Sequence, residues 1–338
     1  MKAAVVGRYG PPRTVRIEQV PDPEPRADEV LVRVRATAVT AGDARIRAAR
    51  FPRGFGILGR LGLGLRGPRR PVLGAVFSGT VERLGSAVGA ASTGVASTGA
   101  AAEKGAAGMA LSVGDEVAGM TGARMGAHAE LLVVPAARLV PKPAAVSHAD
   151  AAAALFGGTT AVHFLRDRAG LGAGQRVLVN GASGSVGSAA VQLARQLGAQ
   201  VTAITSDRNR RLVASLGAER TIDYATHPVA GLRGDYDVVF DAVGNIGRSD
   251  GPRLLAPGGA LILAAAGLVD TLAARGRVHA GSAPERPESF SLLLDLVAAG
   301  DFDPLARALG GLEAIPEAHA IVDSGRKVGN LVVLPAQQ

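Results

Sequence analysis

Alternation of apolar and polar residues with period two dominates the first third of the chain. VRIEQV and EVLVRVRA place an apolar side chain at every second position, and the Pro/Asp-rich turn PDPEPRADE separates them. PVLGAVFSGTVERLG, GDEVAGM and AHAELLVVP continue the pattern, with glycine at the turns. Short strands joined this way predict a mainly β, barrel-like unit. Inside it, residues 89–110 (GAASTGVASTGAAAEKGAAGMA) are rich in Ala, Gly, Ser and Thr. That composition has little to pack and predicts a flexible surface insertion.

The period changes at Ser147. SHADAAAALFGGTTAVHFLRDRAG carries apolar residues three and four apart behind a capping serine, so a helix is expected. QRVLVNGASGSVGSAAVQLARQLGAQVTAITS then reads as strand, glycine turn, helix and strand. RRLVASLGA predicts a helix ending at Gly217, RTIDY a short strand and YDVVFDAVG a buried strand. RSDGPRLLAPGG predicts a helix stopped at Pro257 and Gly258, and ALILAAAG a further strand. Strands alternating with helices imply a doubly wound parallel sheet covered on both faces, an α/β unit. ESFSLLLDLVAAGDF predicts a last long helix, and NLVVLP a closing strand that returns to the first unit. The expected division is 1–146 (mainly β), 147–285 (parallel α/β) and 286–338 (return to the β unit).

Composition narrows the function classes. A chain of 338 residues with 47% hydrophobic content can bury a core. No apolar run reaches the ~18 residues of a membrane span, and the first residues, MKAAVVGRYGPP, carry no signal-like apolar stretch. The absence of cysteine excludes disulfides, thiolate catalysis and cysteine-built metal sites. A cytoplasmic, globular protein is expected. The formal charge of +8 permits anionic partners, but the arginines are spread along the chain and aromatics make up only 3%. No nucleic-acid partner is expected. One basic stretch, Arg45 to Arg70, predicts either a solvated loop and helix or a cleft rim that attracts anionic substrates.

The sharpest chemical motif is GASGSVG, Gly181 to Gly187, between the strand RVLVN and the helix SAAVQLARQLG. Read as A-x-G-x-x-G it uses Ala182, Gly184 and Gly187. Gly184 lets a diphosphate approach the backbone, Gly187 lets the helix pack close, and the helix N-terminus offers free N–H groups. In its strand–turn–helix context the motif predicts a dinucleotide site spanning Ala182, Ser183, Gly184, Ser185, Val186 and Gly187. An NAD site usually carries Asp or Glu at the end of the next strand. Here that strand ends in Ser206, followed by Asp207-Arg208-Asn209-Arg210-Arg211. A hydroxyl with guanidinium groups suits a 2′-phosphate, so NADPH is favoured and Arg208 is the expected cation.

These segments together resemble the zinc-independent medium-chain dehydrogenases/reductases of the quinone oxidoreductase type. The similarity rests on EVLVRVRATAVTAGD, PVLGAVFSGTVERLGSAV, SVGDEVAGM, GAHAELLVVP, GGTTAVHFL, VLVNGASGSVGSAAVQLARQLGA, SDRNRRLVASLGAERTIDY, YDVVFDAVG, LAPGGALIL and GRKVGNLVVLP. GRKVGN and VTAGD draw it toward the 2-haloacrylate reductase-like and chloroplast-type quinone reductase branch. The resemblance implies a Rossmann-type cofactor domain and a discontinuous GroES-like catalytic domain. It places Ser206, Arg208 and Tyr224 around the 2′-phosphate and Thr160 near the cofactor phosphates or nicotinamide. It sets Val243 and Gly244 beside the ribose, Ala265, Ala266 and Gly267 under the nicotinamide, and Asn330 near the nicotinamide end. It also implies a homodimer joined through edge strands, with ALILAAAG and the following segment able to supply the edge.

One departure shapes the expected chemistry. Zinc-dependent relatives hold a catalytic metal with Cys, His and Glu, whereas the first ligand position here falls at Thr40 or Ala41. The six histidines are scattered, and no pair has i, i+4 spacing. No metal is therefore expected. Without a Lewis acid, reduction of an electron-poor C=C bond or a quinone is easier than alcohol oxidation. NADPH-dependent reduction of quinones or α,β-unsaturated carbonyl compounds follows, with Thr40 and Asp43 as candidate catalytic residues. Asp43 could equally form an ion pair with an arginine. A biosynthetic enoyl or ketone reductase, a zinc-free alcohol dehydrogenase and a non-catalytic NADPH-binding protein remain alternatives.

Overall fold

The computed structural model describes residues 1–88 and 110–336; the expected insertion lies outside the described residues except for Ala110. The N-terminal unit starts with the antiparallel pair β1 (Lys2–Val6) and β2 (Val15–Gln19). Its long central strand is β3 (Glu29–Val39), buried on both faces over most of its length. Around it run β4 (Val76–Leu84), β5 (Glu116–Met120), β6 (Leu131–Pro135) and β7 (Leu139–Pro141), all antiparallel to their neighbours. The alternation read in the sequence is satisfied because Val30, Val32 and Val34 meet Phe77, Val81, Val117, Leu132 and Val134 in one core.

The second unit is a six-stranded parallel sheet. It contains β8 (Arg176–Asn180), β9 (Gln200–Thr205), β10 (Arg220–Asp223), β11 (Tyr236–Asp241), β12 (Leu255–Leu263) and β13 (Val278–Ala280), in the order β10-β9-β8-β11-β12-β13. This is the doubly wound order, with its switch point beside β8, where ligands of such sheets bind. Both faces are covered. Val177 and Val179 pack under the helix Ser185–Gln196, while Leu178 between them belongs to the opposite core with Ile204, Val239 and Leu261.

The helix expected from Ser147 spans His148–Ala161, and the Ser147 hydroxyl accepts from the Asp150 N–H at 3.0 Å. It continues through Arg168 as a wider π-helical segment. The helix expected over RSDGPRLLAPGG ends sooner than read: a 3-10 turn over Arg248–Asp250 leads into an α-helix over Gly251–Leu254, and β12 already begins at Leu255. A register shift against β11 between Tyr236 and Val238 accommodates Pro257 inside that strand. The chain then returns. β14 (Ala306–Ala308) pairs in parallel with β15 (Asn330–Val333), and β15 lies antiparallel to β3. ALILAAAG itself is not an edge, because β12 sits between β11 and β13, but the following segment supplies β13, which with β10 is a free edge of the parallel sheet.

Buried polar residues tie the returning helix Ile315–Asp323 to the first unit. Arg47, on the helix Ala41–Ala48, is fully buried, donates to the Gly10 carbonyl and pairs with Asp323. Beside it His319 is fully buried, edge-on to His128 at 6.1 Å, and neither of its ring nitrogens has a partner. Burial, then His128 and Arg47, lower the His319 pKa to about 2.

A histidine held neutral in the fold but protonated in the unfolded chain below pH 6.5 makes stability fall as pH drops. The loss proceeds at up to about 1.4 kcal/mol per pH unit. Denaturant titrations between pH 7.5 and 4.5 should show this acid slope, and His319→Leu should flatten it. An unchanged slope in that variant would show that other groups carry the acid sensitivity.

Candidate active site

A cleft of about 590 Å³ opens at the carboxyl end of the parallel sheet, at the switch point, and reaches across to the first unit. Its floor is the turn after β8. Gly181 has φ +82°, and a Cβ on Gly187 would lie 2.1 Å from the Gly181 carbonyl oxygen, so close helix–sheet packing requires glycine there. Gly184 differs. A Cβ on it would meet only the Gly181 oxygen, at an ordinary 3.4 Å, so protein packing does not demand glycine at that position. What the missing Cβ leaves is space on the cleft floor, as a diphosphate lying against the backbone requires. Gly184 is also the N-cap of the Ser185–Gln196 helix and gives no side-chain cap to its first N–H groups.

The far wall follows β9. Thr205 and Ser206 line it with Arg208, Asn209 and Tyr224. The buried Thr205 hydroxyl has no partner, which leaves a hydrogen-bonding group available to a ligand. Arg208 has no carboxylate partner among the described residues, and one of its N–H groups reaches the Arg326 carbonyl at 3.4 Å. Asp207 pairs with Arg210 at 3.2 Å, and Arg210 also donates to Thr221. The two residues therefore satisfy each other away from the cleft, leaving Arg208 as the cation of this run that lines it. Asn209 donates to the Ser183 hydroxyl at 2.9 Å and ties the two walls together.

The near wall is the returning chain. The Gly329 N–H donates to the Ser183 carbonyl at 2.9 Å, Gly184 and Gly329 form a parallel bridge, and the Ser185 hydroxyl donates to Asn330. Asn330 also donates to the Pro304 carbonyl at 2.7 Å, so both ends of its amide hold the seam. Lys327, two residues before this bridge, lines the cleft with its ammonium on the Gly329 carbonyl. Burial lowers its pKa to about 8.

Other expected residues fall in different places. Thr40 lines the cleft as N-cap of the Ala41–Ala48 helix. Asp43 is buried away from the cleft lining. One of its oxygens accepts the Thr40 hydroxyl at 2.6 Å and the Thr40 N–H at 2.8 Å, and the other accepts the Gly74 N–H at 3.1 Å. It forms a capping box rather than an ion pair with an arginine. Ala182 is buried beneath the turn. Val243 lines the cleft; Gly244, with φ +92°, supports it from behind. Both are held by Asp241, which accepts from their N–H groups and from Asn180 at 2.7 Å. Thr160 turns its hydroxyl back to the Phe156 carbonyl at 2.9 Å, and Phe156 rather than Thr160 reaches the cleft. Ala265, Ala266 and Gly267 lie beyond β12, outside this cleft lining, where the Leu268 N–H meets the Arg53 carbonyl at 2.8 Å.

Lys327, Thr205, Asn180, Asn209 and Asn245 are cleft residues that the sequence reading did not single out. Lys327 carried a signal: it is one of only four lysines in a chain with 37 basic residues.

Comparison with known proteins fits this geometry. Residues 26–144 match the alcohol dehydrogenase GroES-like domain, and residues 185–298 match the zinc-binding dehydrogenase domain. A chloroplastic NADPH-dependent alkenal/one oxidoreductase of Arabidopsis thaliana is 32% identical over 247 residues, 72% of this chain and 58% of that protein's length. A quinone oxidoreductase of Pseudomonas aeruginosa is 28% identical, with 97% of each chain covered. The solved quinone oxidoreductase of Coxiella burnetii superposes with a TM-score of 0.82 at 25% identity over 99% of each chain. With both domains matched in order and the cleft at their junction, the chain belongs to the quinone oxidoreductase-like medium-chain dehydrogenases/reductases and is an oxidoreductase.

Proposed function

We propose that this oxidoreductase uses NADPH to reduce quinones or α,β-unsaturated carbonyl compounds. The observation that carries the reading is the Gly184 floor, open where packing does not demand glycine, in one cleft with Arg208 at the end of β9, which has no carboxylate partner among the described residues. The names of the Arabidopsis and Pseudomonas relatives support the same substrate classes. Ser206, Arg208 and Tyr224 would hold the 2′-phosphate, and the Ser185–Gly187 N–H groups and Lys327 the diphosphate. When bound, the nicotinamide supplies the hydride.

The chain's own contribution is placement. Thr40 is held rigidly at the rim by Asp43, which takes its hydroxyl proton, so Thr40 would orient a substrate oxygen by exchanging that hydrogen bond for one to the substrate. Phe156 and Val243 give the cleft apolar surface that excludes water. Zinc does not fit the residues present. The chain has no cysteine, Thr40 and Ala41 occupy the first-ligand position, and no three His, Asp or Glu side chains converge among the described residues. The reading is thus metal-free reduction by a protein with residues 1–146 and 286–338 as catalytic unit and 147–285 as cofactor unit. A second copy would pair at the β13 edge.

The direct test follows NADPH absorbance with quinones, 2-alkenals, 2-haloacrylates and cyclic enones; no turnover with any class rejects the proposal. Arg208→Ala should weaken NADPH binding about ten- to hundredfold and leave NADH binding unchanged, as loss of one charged contact to a 2′-phosphate requires. Lys327→Met should weaken both coenzymes by a common factor. Isothermal titration with each coenzyme separates the two roles, and a selective effect at Lys327 would move it to the 2′-phosphate. Thr40→Val should lower kcat about tenfold or more while coenzyme affinity stays within twofold. An unchanged kcat removes Thr40 from the reaction.

A further inference from the structure

Nine large apolar side chains stand exposed among the described residues, and most have a reading already. Tyr224 and Val243 belong to the cleft, Val269 and Leu272 lie on the helix Leu268–Leu272 that packs by β13, and Val113 stands alone in its stretch of the described residues. The other four are Ile57 (78% exposed), Leu58 (56%), Leu61 (55%) and Leu65 (67%), all on or just after the helix Gly56–Leu63.

This helix is inverted relative to a normal surface helix. Its inner side carries Gly59 and Leu63: a Cβ on Gly59 would fall 2.8 Å from the Phe51 ring, and Leu63 is half-buried. At 100° per residue Ile57, Leu58 and Leu61 fall on the opposite face, toward solvent. Fixed contacts hold it in this pose. Tyr9 donates to the Gly64 carbonyl at 2.7 Å, Arg69 to the Leu61 carbonyl at 3.0 Å, and the Arg60 guanidinium stands 5.9 Å over the Tyr9 ring. The outward leucines therefore cannot turn in without breaking that set.

The stretch of sequence that carries it is entirely basic. Between Asp43 and Glu82 the sequence has eight arginines and no acidic residue. Arg47 and Arg50 pair with Asp323; the other six have no carboxylate partner among the described residues. Exposed leucine and isoleucine in a stretch rich in arginines without carboxylate partners among the described residues is the composition of a helix that lies in the plane of an anionic lipid surface. A second copy fits poorly, because a self-complementary contact would set arginines against arginines. A protein groove usually grips aromatic anchors, and this helix has none.

We propose that the helix Gly56–Leu63, with Leu65 and its flanking arginines, docks the protein peripherally on membranes containing anionic phospholipid. The apolar side chains enter the interface and the guanidinium groups meet lipid phosphate. Docking requires no spanning segment, in agreement with the absence of a long apolar helix among the described residues.

The test is sedimentation of the full chain with phosphatidylcholine vesicles, with and without phosphatidylglycerol. The wild type should pellet with the anionic vesicles, less so as salt is raised. Leu58→Glu/Leu61→Glu should lower that partition more than about tenfold with an unchanged melting temperature, and Val113→Glu should leave it intact. No sedimentation with either vesicle, or equal sedimentation of the double variant, overturns the proposal. So does concentration-dependent self-association that Leu61→Glu abolishes, which would assign the face to a second copy. Binding to polyglutamate without binding to vesicles would assign it to an acidic protein. Coenzyme binding is measured separately, so failure of the docking proposal and failure of the redox reading remain distinguishable.

Discussion

The close approach of the Gly187 backbone to the Gly181 carbonyl is the constraint on which the site depends. It allows the Ser185–Gln196 helix to start directly over the end of β8, with its first N–H groups directed at the switch point. A methyl group at Gly187 would collide at 2.1 Å with backbone, which cannot yield as a side chain could. The turn also presents Ser183 and Gly184 to the returning chain, so one local packing requirement positions both the floor of the cleft and the seam that closes it.

That seam explains why the chain needs its last thirty residues to complete a site begun near residue 40. Thr40, the Ser183–Gly187 turn and Lys327 are remote in sequence and line one cleft. The bridge between Gly184 and Gly329 binds the parallel sheet to the chain leading into β15, and β15 binds β3 in turn. A ligand that touches both walls adds its binding energy to the same connection and so stabilises the assembled form over any in which the walls have parted.

The parts legible in the sequence were those set by backbone geometry. Period-two strands, the Ser147 cap and the strand–glycine–helix motif each follow from steric or hydrogen-bonding demands that a residue type reveals by itself. Side-chain direction was not legible. Asp43 reads as a free acid until the capping box is seen, and Thr160 reads as a cleft hydroxyl until it bonds to Phe156. Lys327 stood out as one of only four lysines, but its place in the cleft was not legible, because the pairing that brings the returning chain there joins strands nearly three hundred residues apart in sequence. Pro257 misled in the opposite sense: proline normally ends a helix or avoids a strand, and only the register shift opposite it lets β12 run through.

The Gly56–Leu63 helix poses the hardest question of local stability. Three of its eight residues are glycine, each about 1 kcal/mol worse than alanine in a helix interior. None of its residues is fully buried, so a hydrophobic core does not hold it in place. Its order comes instead from the Phe51 contact at Gly59 and the Tyr9 and Arg69 bonds to the Gly64 and Leu61 carbonyls, which leave Ile57, Leu58 and Leu61 open to solvent. Local propensity and burial both oppose such an arrangement. Conflicts of this kind concentrate where a surface is shaped for something outside the chain. An apolar face at an oil–water boundary recovers the burial that folding alone withholds, and that physical deficit singles out this helix among the exposed surfaces of the molecule.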